Sequence, residues 1–75
     1  MTIYLYSLPN CGICNMVKKK LEAKNIKFIE ENFEEIAGVI KSDHAPALII
    51  DSGAEGHLVL NSPLEINNWI KNYGE

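Results

Sequence analysis

Several features that would place this chain in a particular class are missing. Long apolar runs are absent: the strongest, Ala47-Leu48-Ile49-Ile50, falls far short of the ~20 residues needed to span a bilayer. Three prolines and five glycines are too few for a low-complexity or disordered chain. With only two cysteines, the framework of two to four bridges that staples small secreted domains is out of reach. The start, Met1-Thr2-Ile3-Tyr4, lacks the basic n-region of a secretion signal, so a cytoplasmic setting with reduced thiols is expected. No basic stripe interleaved with aromatics is present, so neither nucleic acid nor a membrane is an expected partner.

What is present fits one small globular domain over residues 1–75, because 47% of the residues are hydrophobic and half the length could not bury a core. The net charge of −3 is unevenly spread, with about +4 on residues 1–27 and about −7 on residues 28–75. Lys18, Lys19 and Lys20 read as a solvated helix face.

The cysteines stand three apart, in Asn10-Cys11-Gly12-Ile13-Cys14-Asn15. A purely structural disulfide here would close a very short loop, and chain entropy puts its ideal benefit at about 2 kcal/mol, the low end of the scale. A closed zinc site needs four ligands, and Cys11, Cys14, His44 and His57 lack zinc-finger spacing; no metal is expected. Redox chemistry is the remaining use, and it depends on where the pair sits.

Residues 2–7 are β-branched or aromatic with one Leu and suit a strand, which Leu8-Pro9-Asn10 breaks. Ile13, Val17 and Leu21 then recur as the apolar face of a helix from about Cys11 to Lys24, with Asn25 as its stop. Residues 26–30 read as a second strand. Asn32 caps a second helix with Glu35 as capping-box partner; Phe33, Ile36, Ala37 and Ile40 form its buried face, and its end falls near Ser42-Asp43-His44. Residues 47–50 and 57–60 form an antiparallel hairpin around a turn-rich 51–56. A last helix has Ser62 as N-cap, Pro63 in its first position and Glu65 completing a capping box; Ile66, Trp69, Ile70 and Tyr73 line one face, and Gly74 ends it. The order is β-α-β-α-β-β-α. Its first unit requires parallel strands, and helices are expected on both faces of the sheet.

Cys11 thus follows the first strand and opens a helix, where an α/β sheet carries its working site. Unpaired N–H groups and the positive end of the helix dipole favour a thiolate there. The N–H groups of Ile13 and Cys14 are placed to point at its sulfur, and Lys18 adds positive potential one turn beyond Cys14. Cys11 would attack a substrate disulfide, and Cys14 would release the product. Gly12 leaves room for a partner's backbone, with Ile13 beside it, and Pro9 stiffens the entry to the loop.

Tyr6-Ser7-Leu8-Pro9-Asn10-Cys11-Gly12-Ile13-Cys14, a following helix with Lys18 and Leu21, and Pro46 before an apolar strand together resemble the glutaredoxins of the thioredoxin superfamily. The resemblance implies a thioredoxin-like α/β fold with a four-stranded mixed sheet and three helices. It implies a cis peptide between Ala45 and Pro46 facing the thiol, with the Ala45 backbone pairing an extended substrate. Ser62 stands at the start of the last helix, where the resemblance places part of the substrate site. Where the family carries Pro-Tyr between its cysteines, Thr-Val before the cis proline, a Gly-Gly pair with a following acid, and a Lys ahead of the first Cys, this chain has Gly12-Ile13, His44-Ala45, Asn61-Ser62 with Glu65, and Leu8. His44 reads as an exposed helix-end residue.

The function implied is a dithiol oxidoreductase: an electron carrier that reduces protein disulfides or glutathione mixed disulfides. It would be a monomer with no tightly bound cofactor, reduced in turn by glutathione or by a flavin-dependent reductase; in the second case the chain would be a glutathione-independent, thioredoxin-like donor to ribonucleotide reductase. Metal or iron–sulfur carriage and a non-redox binding module are the alternatives from other classes.

Overall fold

The computed structural model describes residues 1–40 and 44–73. Strands β1 (Thr2–Ser7), β2 (Ile29–Asn32), β3 (Ala47–Asp51) and β4 (His57–Leu60) form one mixed sheet in the order β2-β1-β3-β4. β1 and β2 run parallel, and β3 is antiparallel to both β1 and β4. The helices are α1 (Gly12–Ala23), α2 (Ala37–Ile40) and α3 (Pro63–Lys71), with 3₁₀ turns at Phe33–Glu35 and Gly53–Glu55. The expected element order and mixed sheet are those of a thioredoxin-like fold.

Alternation along the strands sends Ile3 and Leu5 of β1, Leu48 and Ile50 of β3 and Leu60 of β4 to one face. There they meet Val17 and Leu21 of α1 and Ile66 and Ile70 of α3 in one buried cluster, with Trp69 and Tyr73 packed at its side. The buried stripe of α1 is Cys14, Val17 and Leu21, and Ile13 is 41% exposed, which corrects its expected place in the core. A spacing of strictly four residues drifts about 40° per step around a helix, whereas three and then four holds one stripe.

α1 ends as its Asn predicts. Asn25 takes φ 58°, its N–H donates to the Glu22 carbonyl, and the Ile26 N–H reaches back to the Leu21 carbonyl at 2.9 Å. This paired return is a Schellman end, and Ile26 and Leu21 are both in the core. Completing the cap occupies residue 26, so strand pairing begins three residues later than expected, at Ile29 beside Tyr4.

The second helical region also departs from expectation. The Asn32 side chain accepts from the Glu34 N–H at 2.9 Å, and the Ile36 N–H bonds the Phe33 carbonyl at 3.0 Å, closing a tight 3₁₀ turn. Ile36, at φ −115°, interrupts it before the single α-turn Ala37–Ile40. Of the four residues expected to be buried there, Phe33 is buried and Ile36, Ala37 and Ile40 are half-buried. The expected end of this helix at Ser42-Asp43 and the expected stop at Gly74 lie outside the described residues. Ser62 holds N-cap dihedrals before Pro63, but its hydroxyl makes no capping bond; the Ile66 N–H bonds the Ser62 carbonyl instead.

Candidate active site

The sheet register gathers three chain segments at one end. β1 leaves the sheet at Ser7 and leads directly to Cys11. Because Tyr6 pairs with Ala47, residues 44–46 enter the sheet at that same end. Because Leu60 pairs with Leu48, Asn61 and Ser62 leave it there too. His57 pairs with Asp51 at the opposite end, roughly 13 Å away along β3 at about 3.3 Å per residue. The two histidines and two cysteines therefore do not converge. Among the described residues no group of three or more His, Cys, Asp or Glu side chains is placed to hold a metal ion.

The approach to Cys11 is set by local backbone geometry. After Pro9, Asn10 takes the left-handed conformation at φ 64°, which Asn tolerates better than most residues. Cys11 then adopts extended N-cap dihedrals (φ −98°, ψ 109°), and its carbonyl receives the Asn15 N–H at 3.2 Å. Its sulfur takes the role a serine hydroxyl has at other helix starts: it accepts the Cys14 backbone N–H at 3.1 Å. Of the two N–H groups expected to serve this sulfur, the Cys14 group makes the bond.

Cys11 and Cys14 are joined in a disulfide with Cα atoms 5.2 Å apart. The two sulfurs are not equivalent. Cys14 is 1% exposed, at the top of the buried stripe of α1, whereas Cys11 is half-buried at the helix mouth. Gly12 and Ile13 are exposed between them, and a methyl group on Gly12 would meet no atom within 4 Å. The surface around the outer sulfur is thus open to a partner.

On the opposing segment the Ala45–Pro46 peptide is cis. Pro46 is fully buried and Ala45 half-buried. The Asn61 side chain bridges to this segment, its amide nitrogen donating to the carbonyls of His44 and of Pro46, each at 3.1 Å. Sequence reasoning missed this link, and no local signal reveals it, because the partners lie 17 and 15 positions upstream. Ser62 follows at the start of α3, and His44 is exposed.

The lysines are more specifically engaged than a solvated face implies. Lys18 lies 2.7 Å from Glu30 on β2, and the Ser7 hydroxyl donates to the same carboxylate oxygen at 3.0 Å. These two bonds, Lys18 first, hold the Glu30 carboxyl below its ordinary range. Lys20 donates to the Asn67 side chain at 2.9 Å, and Lys24 to the Lys71 carbonyl at 3.1 Å, tying α1 to α3. Lys19 is exposed. A shallow polar groove of about 320 Å³ runs past Pro9, Asn10, Asn15, Lys18 and Glu30 on the β2 side of the cysteine loop.

Among the described residues no helix is long and apolar enough to cross a membrane. A family model described as glutaredoxin matches residues 3–52, which include both cysteines and the cis proline. No curated protein and no solved structure matches the chain.

Proposed function

The chain belongs to the glutaredoxin family, and from that premise we propose that it is a dithiol electron carrier that reduces disulfides presented on extended protein segments or as glutathione mixed disulfides. The family and the bridged Cys11–Cys14 pair support thiol–disulfide oxidoreductase chemistry. The observation that carries the division of labour is the unequal burial of the two sulfurs, with a backbone N–H on the outer one.

In the reduced protein the Cys11 thiol loses its proton to solvent. The helix start stabilises the resulting thiolate through the Cys14 N–H and the dipole. The thiolate attacks one sulfur of the substrate disulfide. The substrate S–S bond breaks, a mixed disulfide forms on Cys11, and the leaving thiolate takes up a proton. Cys14 then gives up its proton and attacks the Cys11 sulfur; the mixed bond breaks, and the second substrate thiol departs protonated. Two electrons have passed to the substrate, and the protein holds the Cys11–Cys14 disulfide. Two glutathione thiols, oxidised together to their disulfide, or a flavin-dependent reductase return the electrons. The setting is a compartment whose thiols are kept reduced.

Each neighbouring residue has a role in this reading. The Ala45 backbone, held beside cis Pro46, pairs the substrate segment by strand addition. Gly12 and Ile13 provide an open contact surface, Pro9 shapes the loop, and Ser62 closes the far side. Lys18 is shared with Glu30, so its part in stabilising the thiolate is smaller than that of the helix start.

Substitution of each cysteine tests the scheme. Cys11→Ser abolishes disulfide reduction, whereas Cys14→Ser accumulates a mixed disulfide visible as an added substrate mass. Wild-type rates from both variants would overturn the proposal. A parallel assay with glutathione or a flavin-dependent reductase as sole electron source identifies the donor.

A further inference from the structure

We propose that Asn61 is a positioning residue that holds the backbone around Ala45 in the shape an incoming disulfide-bearing segment needs. This inference rests on the strand-addition reading above. One amide nitrogen carries two protons, and here each has an acceptor: the His44 carbonyl and the Pro46 carbonyl, both at 3.1 Å. The His44 carbonyl lies in the peptide plane before Ala45 and the Pro46 carbonyl in the plane after Pro46, so a single side chain holds the planes on either side of the cis Ala45–Pro46 peptide.

The anchor is itself well placed. Asn61 follows Leu60, a core residue at the end of β4, and precedes the first turn of α3. The clamp therefore transmits the position of the packed sheet to a segment that lies outside it. A backbone pre-shaped in this way loses less conformational freedom when a substrate strand pairs with it, so the effect belongs to binding rather than to the sulfur chemistry. Neither Asp, which presents no amide protons, nor Leu, which has the same branching without donors, can reproduce the double contact.

The test uses the full chain, reduced beforehand, in single-turnover reactions with two oxidants: an extended peptide carrying an accessible disulfide, and an aryl disulfide that contains no peptide group. The expected result for Asn61→Leu is a half-saturating peptide concentration about tenfold higher, comparable to losing one or two hydrogen bonds. Its maximal rate with the peptide and its rate with the aryl disulfide change less than twofold. Asn61→Ala, a milder truncation at a half-buried position, is run alongside and shifts in the same direction. Unchanged half-saturation in both folded variants overturns the proposal, and so does an equal loss with both oxidants, which would indicate general damage to the fold. A wild-type protein that reduces neither oxidant removes the parent reading instead, an outcome recognisable without any variant.

Discussion

The two faces of the sheet are built by different means. On the face covered by α1 and α3, long-range burial does the work: Leu5, Leu21, Leu48 and Ile66 are completely excluded from solvent. On the other face Tyr4 and Tyr6 lie with ring centres 6.3 Å apart, beside Ile49, Val59 and Ile29, of which Ile29 is 45% and Val59 37% exposed. The phenol of Tyr6 is held above its ordinary range by burial first, and then by Glu31 and other nearby charges. Apart from α1 and α3, the helical elements among the described residues are two 3₁₀ turns and one α-turn. The contrast bears on the site, because Cys14 continues the buried stripe of Val17 and Leu21 while Cys11 stands beyond it. Burial of the inner sulfur is thus a property of the packed layer, and exposure of the outer one a property of the loop.

The largest expected effect tests that contrast directly. Leu5→Ala on the packed face should cost about 2–5 kcal/mol, through lost transfer energy and the cavity left behind. Ile49→Ala on the opposite face, where the side chain is only half-buried, should cost about 1 kcal/mol. Urea unfolding of both variants, read as midpoints at a common slope, measures the difference. Equal losses would mean the second face is as tightly packed as the first. In a domain of this size the larger loss is a substantial fraction of total stability, about 0.05–0.15 kcal/mol per residue.

What could be read from the chain in advance follows the same division. Ile3, Leu5, Leu48, Ile50, Ile66 and Ile70 announce the packed layer through local periodicity, and Asn25 announces the end of α1 because few residues accept its backbone conformation. Phe33, Ile36, Ala37 and Ile40 have helical spacing as well, yet the chain there makes a 3₁₀ turn closed by Ile36 on Phe33 and then a single α-turn. Periodicity records which residues are apolar, not how far one backbone hydrogen-bond pattern runs. At the site, Cys11 and Cys14 were evident from spacing and position, and the cis bond at Pro46 only from the family resemblance. The Asn61 clamp and the Lys18–Glu30 pair were hidden, since each joins segments far apart in sequence.

A smaller effect separates the two kinds of helix start. Asn32→Ala removes an acceptor that serves the Glu34 N–H, and should cost about 1 kcal/mol. Ser62→Ala removes a hydroxyl that makes no capping bond, and should cost only about 0.3 kcal/mol, even though α3 is much the longer helix. Thermal melts of the pair make the comparison. If Ser62→Ala proves the more damaging, α3 depends on its cap and not mainly on the burial of Ile66 and Ile70.

The smallest effect lies at the rim of the packed face, where Lys18 and Glu30 are both substantially exposed. The Glu30 carboxyl is held low in the folded chain by Lys18 and then Ser7, so the stability it contributes is present above the unfolded glutamate value. That contribution is lost as pH falls through the depressed folded value. Solvent limits it to below about 1 kcal/mol. Carboxyl NMR should show Glu30 titrating below the ordinary glutamate range in the wild type and moving back toward it in Lys18→Met. The same variant tests how far the lysine reaches the sulfur. Because its ammonium is paired with the Glu30 carboxylate, Lys18→Met leaves a negative charge and should slow alkylation of reduced Cys11 slightly at neutral pH, whereas Glu30→Gln leaves a positive charge and should speed it slightly. Unchanged rates in both variants would show that neither charge reaches the sulfur.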